Sequence, residues 1–284
     1  VYKRQFLQLT PNIEVITSTD PDHLDIYGDA NEMRNSFAEF IGCMQENGQL
    51  LASNKVDTTL LNQETMIYGL DTTPIRAENI RITDRYTFDF NDGQTEIKDI
   101  ELLVPGSHNT ENAVAAIKIA LLLGVAPQLI KSGMAAYKGV KRRFEYVLKN
   151  GLVFIDDYAH HPEELRAFIS SVRAMYPEKT IKVIFQPHLY SRTKDFYEEF
   201  AVSLDLADEI VLLDIYPARE LPMEGISSEM ISDKMEKAAR HMTVDEVLES
   251  LKNEKPEVLA TLGAGDIDKL VPDIKEVLIE TYQL

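Results

Sequence analysis

Apolar positions recur along this chain with two different periods. Ile13-Glu-Val-Ile-Thr-Ser-Thr19 is rich in β-branched residues and predicts a buried strand. From residue 31 to 45, Met33, Phe37, Phe40, Ile41 and Met44 share one side of a helix. Gly48 stops that helix, and Leu50-Leu-Ala-Ser53 predicts a second strand. Strand, loop, helix and strand form the repeating unit of a parallel α/β sheet. Between residues 65 and 104 the period becomes two. Ile80, Ile82, Tyr86, Phe88 and Phe90 alternate with polar residues, Asn91-Asp-Gly93 supplies a hairpin turn, and Ile97, Ile100, Leu102 and Val104 continue the pattern. This predicts an antiparallel excursion attached to the parallel sheet. Pro105-Gly106 breaks it, an apolar helix is expected over 112–123 up to Gly124, and another over 127–137.

The segment 138–144 holds four basic residues and Gly139, and beyond it the βα rhythm restarts. Strands are expected at 152–155, 182–185, 209–214 and 258–262, with helices at 162–175, 193–206 and 227–239 and a closing helix after the last strand. The predicted class is α/β with two doubly wound domains, residues 1–142 and 143–284. The loops after 155 and after 185 are expected at one edge, on neighbouring strands joined by one helix.

A length of 284 residues is enough for two domains with their own cores. No apolar run approaches the roughly 20 residues of a membrane helix, so no membrane insertion is expected. A net charge of −18 argues against nucleic acid as a partner, while leaving room for phosphorylated small molecules held by a few arginines. The one cysteine, Cys43, excludes a disulfide framework, fits a reducing cytoplasm, and is expected as a buried small apolar group.

In sheets of this kind ligands gather at the carboxyl ends of strands. Five of the six histidines, His23, His108, His160, His161 and His188, fall in such loops. Asp20-Pro-Asp-His-Leu-Asp25 offers carboxylates and an imidazole to a cation, or aspartates to cap a helix. His108, Asn109 and Asn112 offer amides that suit an adenine edge, or again a cap. Arg142 and Arg143 suit phosphate, or a solvated linker. Asp156, Asp157, Tyr158, His160 and His161 crowd one strand end, and His188 and Arg192 face the same edge, where a carboxylate could bind. Gly263-Ala-Gly265 could let a ligand approach the backbone. A Gly-x-x-x-x-Gly-Lys-Ser/Thr phosphate loop occurs nowhere in the chain.

Asp22-His-Leu-Asp-Ile-Tyr-Gly28, Gly106-Ser-His-Asn-Thr-Glu-Asn112, Arg142-Arg-Phe-Glu145, Asp156-Asp-Tyr-Ala-His-His-Pro162 and Phe185-Gln-Pro-His-Leu-Tyr-Ser-Arg-Thr193, in this order, resemble the Mur ligase family over nearly the whole chain. The last two motifs resemble its L-alanine-adding branch; the alternatives are the branch that recycles murein tripeptide and a non-catalytic nucleotide-binding fragment. The resemblance implies an incomplete ATPase domain followed by a complete Rossmann-like, amino-acid-binding domain. It implies ATP, Mg2+ (or Mn2+), UDP-N-acetylmuramate and L-alanine as ligands, and an acyl phosphate on the way to an amide in cytoplasmic peptidoglycan precursor synthesis. By motif, His23 becomes a metal ligand and, with Arg143, a catalytic residue. His108, Asn109, Asn112, Arg143 and Asp157 become ATP contacts. Tyr158, His160, His188 and Arg192 become contacts to the amino acid and the muramoyl group. Three departures accompany it. The UDP-binding domain and the phosphate loop are missing, so the chain alone is expected to be inactive. Val1–Gln5 stands where the family is acidic, and Leu189 where many relatives carry arginine.

Overall fold

The computed structural model describes residues 4–20, 27, 29–83 and 85–284. The chain forms two compact units, one of residues 1–103 with 107–137, the other of 104–106 with 138–284.

The first unit is built on a six-stranded sheet. Its strands are β1 (Ile13–Ile16), β2 (Gln49–Ser53), β3 (Met66–Leu70), β4 (Ile75–Ile82), β5 (Tyr86–Asn91) and β6 (Glu96–Leu102), and they lie side by side in that order. Helix α1 (Ala30–Gly42) connects β1 to β2, started by the Asp29 carboxylate accepting from the Glu32 amide. It lays Phe37 and Ile41 on a small core of Ile16, Leu50, Ala52 and Val56. The antiparallel excursion is shorter than the sequence pattern predicts. β3 pairs parallel with β2, and the first residues of β4 pair parallel with β3; only β4, β5 and β6 are antiparallel. The difference has a local cause: Asp71, at φ 65°, and the Thr73 hydroxyl bonded to the Ile75 carbonyl shape a short connection that brings β4 back parallel to β3, which a period of two cannot reveal. The Asp92–Thr95 hairpin lies where Asn91-Asp-Gly93 predicts it.

Two helices complete the unit, α2 (Ser107–Leu122) and α3 (Pro127–Ala136). α2 starts five residues before its apolar stretch, so His108 and Asn109 lie within its first turn. Cys43 caps α1, half-buried rather than buried, with its thiol 3.6 Å from the Leu7 carbonyl.

The second unit also holds six strands: β7 (Glu145–Leu148), β8 (Val153–Asp157), β9 (Ile181–Phe185), β10 (Glu209–Leu212), β11 (Ala239–His241) and β12 (Val258–Leu262). Their spatial order is β11-β10-β9-β12-β8-β7, and every pair is parallel except β7 with β8. The strand cores are continuous apolar runs, because helices cover both faces. α4 (Pro162–Met175) and α5 (Tyr190–Leu204) pack together, with Phe200 of α5 against Phe185. On the other face Val247 and Leu251 of α7 (Val244–Asn253), with Ile274 and Leu278 of α8 (Leu270–Tyr282), cover Phe154, Ile184, Val211 and Leu259.

Two expectations fail in this unit. β8 and β9 are not neighbours, since β12 returns between them. The helix expected over 227–239 contracts to the single turn α6 (Glu229–Ser232), followed by β11 and then α7, neither of which the apolar pattern announces. A three-residue strand is too short to show a period, and Thr243 with Glu246, a reciprocal capping pair, is the signal that marks α7. No described helix is long and apolar enough to cross a membrane.

Candidate functional site

The carboxyl edge of the second sheet collects most of the residues expected to bind ligand. Because β8, β12 and β9 are all parallel, their last residues point to one edge, and β12 merely spaces the two polar loops by two strand widths, roughly 10 Å. Long side chains span that gap. The Tyr158 ring lies edge-on to His160 at 5.1 Å, His160 lies edge-on to His188 at 6.0 Å, and Arg192 Nη1 reaches the His160 carbonyl at 3.5 Å. Tyr158, His160, His188 and Arg192 therefore form one continuous cluster.

Each member is held from behind. Ahead of β7 the chain turns through Arg142 and Phe144, both with left-handed backbone, at φ 59° and 51°. Such positions are strained for residues with a side chain and persist where the surroundings fix them. Here Asp157 accepts from the Phe144 amide at 2.6 Å and the Ala159 amide at 2.8 Å, while the Tyr158 amide donates to the Arg142 carbonyl. Burial pushes the Asp157 carboxyl up to about 6, against the two amide bonds that lower it. Each Asp157 oxygen thus accepts from a backbone amide. Asp156 is likewise engaged, by Thr261 Oγ1 at 2.7 Å and Arg142 Nε at 3.0 Å.

Arg142 also donates to the Gly263 carbonyl, and its guanidinium sits 5.2 Å from the centre of the Tyr158 ring. Arg143 lies 5.6 Å from the same ring, so Tyr158 carries two guanidinium neighbours. Arg143 is also 3.6 Å from Glu164 Oε1. Glu164 was not anticipated as part of the site. It occupies the third position of α4 and accepts from the His160 amide at 2.9 Å and the His161 amide at 3.3 Å, with His160 Nδ1 at 3.1 Å. Burial acts to raise this carboxyl, but the His160 contacts and the Arg143 charge outweigh it and hold it at about 2. The Glu three residues after His161 was the available sequence signal, since that is capping-box spacing.

His160 Nδ1 lies 2.9 Å from the Tyr158 carbonyl. A carbonyl only accepts, so this nitrogen carries a proton and the bond fixes the orientation of the ring. His188 differs. Burial first, then the nearby charges of His160, Arg192 and Arg219, push its imidazole down to about 4, so it is neutral at pH 7. Its Nδ1 is buried with no hydrogen-bond partner among the described residues. Tyr216, also missed, stacks on the His188 ring at 5.8 Å. It lies in a loop past the end of β10, and the strand-end rule applied to Asp214-Ile-Tyr216 would have found it.

The glycine turn proves structural. Gly263 has φ 146°, and a Cβ there would lie 2.7 Å from the Gln186 carbonyl oxygen. At Gly265 a Cβ would overlap the Gln186 amide and the Tyr216 ring. Gln186 is tied to Asp266 at 3.0 Å and to the Ile267 amide at 2.9 Å. The close approach that needs glycine is made by Gln186 and Tyr216.

In the first unit, His108 and Asn112 are exposed and Asn109 half-buried on the amino-terminal turns of α2, while Thr110 and Glu111 point inward. Glu111 accepts from Ser53 Oγ at 2.6 Å and pairs with Lys55 Nζ at 2.5 Å. His23 lies outside the described residues. Among the described residues no group of three or more metal-ligating side chains comes together.

The Mur ligase middle domain matches residues 2–120, and the Mur ligase, glutamate ligase domain matches residues 142–266. A UDP-N-acetylmuramate–L-alanine ligase of Parabacteroides distasonis is 48% identical over 284 residues, covering 98% of this chain and 62% of the relative. The protein of that name from Porphyromonas gingivalis is 46% identical, covering 98% of this chain and 63% of its own. The crystal structure of UDP-N-acetylmuramate-alanine ligase from Thermotoga maritima superposes with a TM-score of 0.77 at 25% identity, over 99% of this chain and 62% of that one. The chain thus spans about three-fifths of the length of the relatives it matches. With both domains matched in sequence and two α/β sheets matched in structure, the chain belongs to the Mur ligase family.

Proposed function

We propose that the protein carrying this chain joins L-alanine to UDP-N-acetylmuramate with ATP as phosphoryl donor, in peptidoglycan precursor synthesis in the cytoplasm. The reading assigns residues 1–142 to the ATPase part and residues 143–284 to the part that admits the amino acid. The observation that carries it is the cluster of Tyr158, His160, His188 and Arg192 at one sheet edge, in a chain whose relatives bear the name of that ligase.

ATP would supply the phosphoryl group that turns the muramoyl carboxylate into an acyl phosphate; the amine of L-alanine would then attack the carbonyl carbon and phosphate would leave. Arg192, with a permanent charge and its residue in the first turn of α5, suits the muramoyl carboxylate before and during that step. His160, its ring oriented by the bond from Nδ1 to the Tyr158 carbonyl, suits a contact to the amino acid or the muramoyl group beside Arg192. His188 stays neutral beside it and adds no repulsion. Arg143 and Asp157 enter as ATP contacts, and of the two the Arg143 guanidinium is the one whose charge suits a phosphate, while Asp157 holds the backbone beside it. His108, Asn109 and Asn112 offer the amide and imidazole groups for adenine. Magnesium would be held through His23, where it would neutralise charge on the phosphoryl group; the described residues form no metal cluster of their own.

The test is Arg192→Ala in the full-length protein. L-alanine-dependent ADP formation should fall at least about tenfold in kcat/KM for the muramate, with the circular dichroism unchanged. Unaltered kinetics would remove Arg192 from the site, and ADP formation that responds to murein tripeptide but not to L-alanine would favour the recycling branch.

A further inference from the structure

Beside His188 lies a cleft of about 390 Å³ lined by His188, Leu189, Tyr216, Ala218 and Arg219. The loop beyond β10 that forms one wall is anchored at both ends. The Tyr216 amide donates to the Pro187 carbonyl and the Leu189 amide to the Tyr216 carbonyl. Glu220 accepts from the Ser191 amide at 3.0 Å and from its hydroxyl. Between these anchors Ala218 turns the chain with φ 50°, and Arg219 projects at the cleft.

Four arginines serve this edge of the second unit. Arg142 is tied to Asp156 and the Gly263 carbonyl, and Arg143 is paired with Glu164. Among the described residues Arg192 reaches only the His160 carbonyl, at the limit of a hydrogen bond. The Arg219 guanidinium has neither a hydrogen bond nor an ion pair among the described residues, although the chain carries a net charge of −18. Arg192 and Arg219 both lie close enough to His188 to depress its imidazole, after burial and His160 have done so. Two guanidinia near a neutral imidazole, one weakly bonded and one without a bond among the described residues, are suited to two separate anions.

We propose that Arg219 binds the α-carboxylate of the incoming amino acid in this cleft, leaving Arg192 to the carboxyl group of the acceptor. The inference rests on the ligase reading and refines it by dividing the two carboxylates between the two arginines. An amino acid keeps its carboxylate ionised throughout amide formation, so it needs one fixed cation that does not titrate, and arginine supplies it. Leu189, Ala218 and the ring of Tyr216 give the rest of the cleft an apolar wall against which a short side chain fits. The neutral state of His188 keeps a further positive charge away from the amine that must attack.

The experiment uses the full-length protein and follows ADP formation with L-alanine and with L-alaninamide, which lacks the carboxylate. Wild type should prefer L-alanine strongly. Arg219→Gln should raise the KM for L-alanine about tenfold or more, leave the KM for ATP within twofold, and narrow the preference over L-alaninamide by a similar factor. Adding Leu189→Arg should recover part of the loss, because residue 189 lines the same cleft and its left-handed backbone, at φ 70°, already carries a side chain. An unchanged KM for L-alanine in Arg219→Gln, or an unchanged preference over the amide, overturns the inference while leaving the ligase reading intact. Absence of L-alanine-dependent turnover in wild type overturns the ligase reading itself.

Discussion

Glu14 offers the sharpest test of the electrostatics of the first unit. It lies on β1 opposite Leu50, is 2% exposed, and has neither carboxylate oxygen hydrogen-bonded among the described residues. Burial pushes its carboxyl from the ordinary 4.5 to about 7. Since the folded value lies above the unfolded one, the folded state holds the proton more tightly. Stability is therefore full below about pH 4.5 and is lost as the pH rises through about 7. At about 1.36 kcal/mol per pH unit, the gap comes to roughly 3 kcal/mol above pH 7. That figure is a ceiling, because water can reach an edge strand when the carboxylate ionises. Glu14→Gln keeps the shape and removes the titration. Urea unfolding followed by circular dichroism should show the variant within about 1 kcal/mol of wild type at pH 5 and roughly 2–3 kcal/mol more stable at pH 8. Other raised carboxyls, Asp157 among them, titrate in both proteins and cancel in the comparison. A difference between variant and wild type that stays the same at the two pH values would refute the reasoning, since it would mean that Glu14 is solvated or paired when folded.

Glu164→Gln should lower kcat of the full-length protein about tenfold with little change in the KM for L-alanine. The carboxylate meets four groups, the His160 amide, the His161 amide and the His160 ring at Oε2 and Arg143 at Oε1, and the neutral amide removes the charge and one of the two acceptors, which loosens Arg143 and weakens the hold on the His160 ring; steady-state kinetics beside a thermal melt checks this, and an unchanged kcat refutes it. Gly265→Ala should cost about 1–3 kcal/mol in the second unit and lower activity with it, because the added methyl meets the Gln186 amide and the Tyr216 ring that backs His188; a variant with wild-type stability would show that this turn has room.

The sequence by itself determined the local elements and the inventory of chemistry. Burial on both faces makes β8, β9, β10 and β12 uninterrupted apolar runs, and helices between them force parallel pairing, so the class and the sheet edge that bears the site were legible. The motif residues Tyr158, His160, His188 and Arg192 were legible for the same reason, since each follows a strand whose end is visible. Strand order was not legible. β12 comes last in the chain yet lies between β8 and β9, a choice set by how α7 and α8 cover the sheet, and periodicity within one strand carries no trace of it. Nor could the sequence distinguish two adjacent aspartates or several arginines by role. Asp156 and Asp157 are both engaged within the fold, Arg142 is locked to Asp156, and Arg219 has no hydrogen bond or ion pair among the described residues, because hydrogen bonds between residues 13 to 121 positions apart decide which charges are spent and which remain for a ligand.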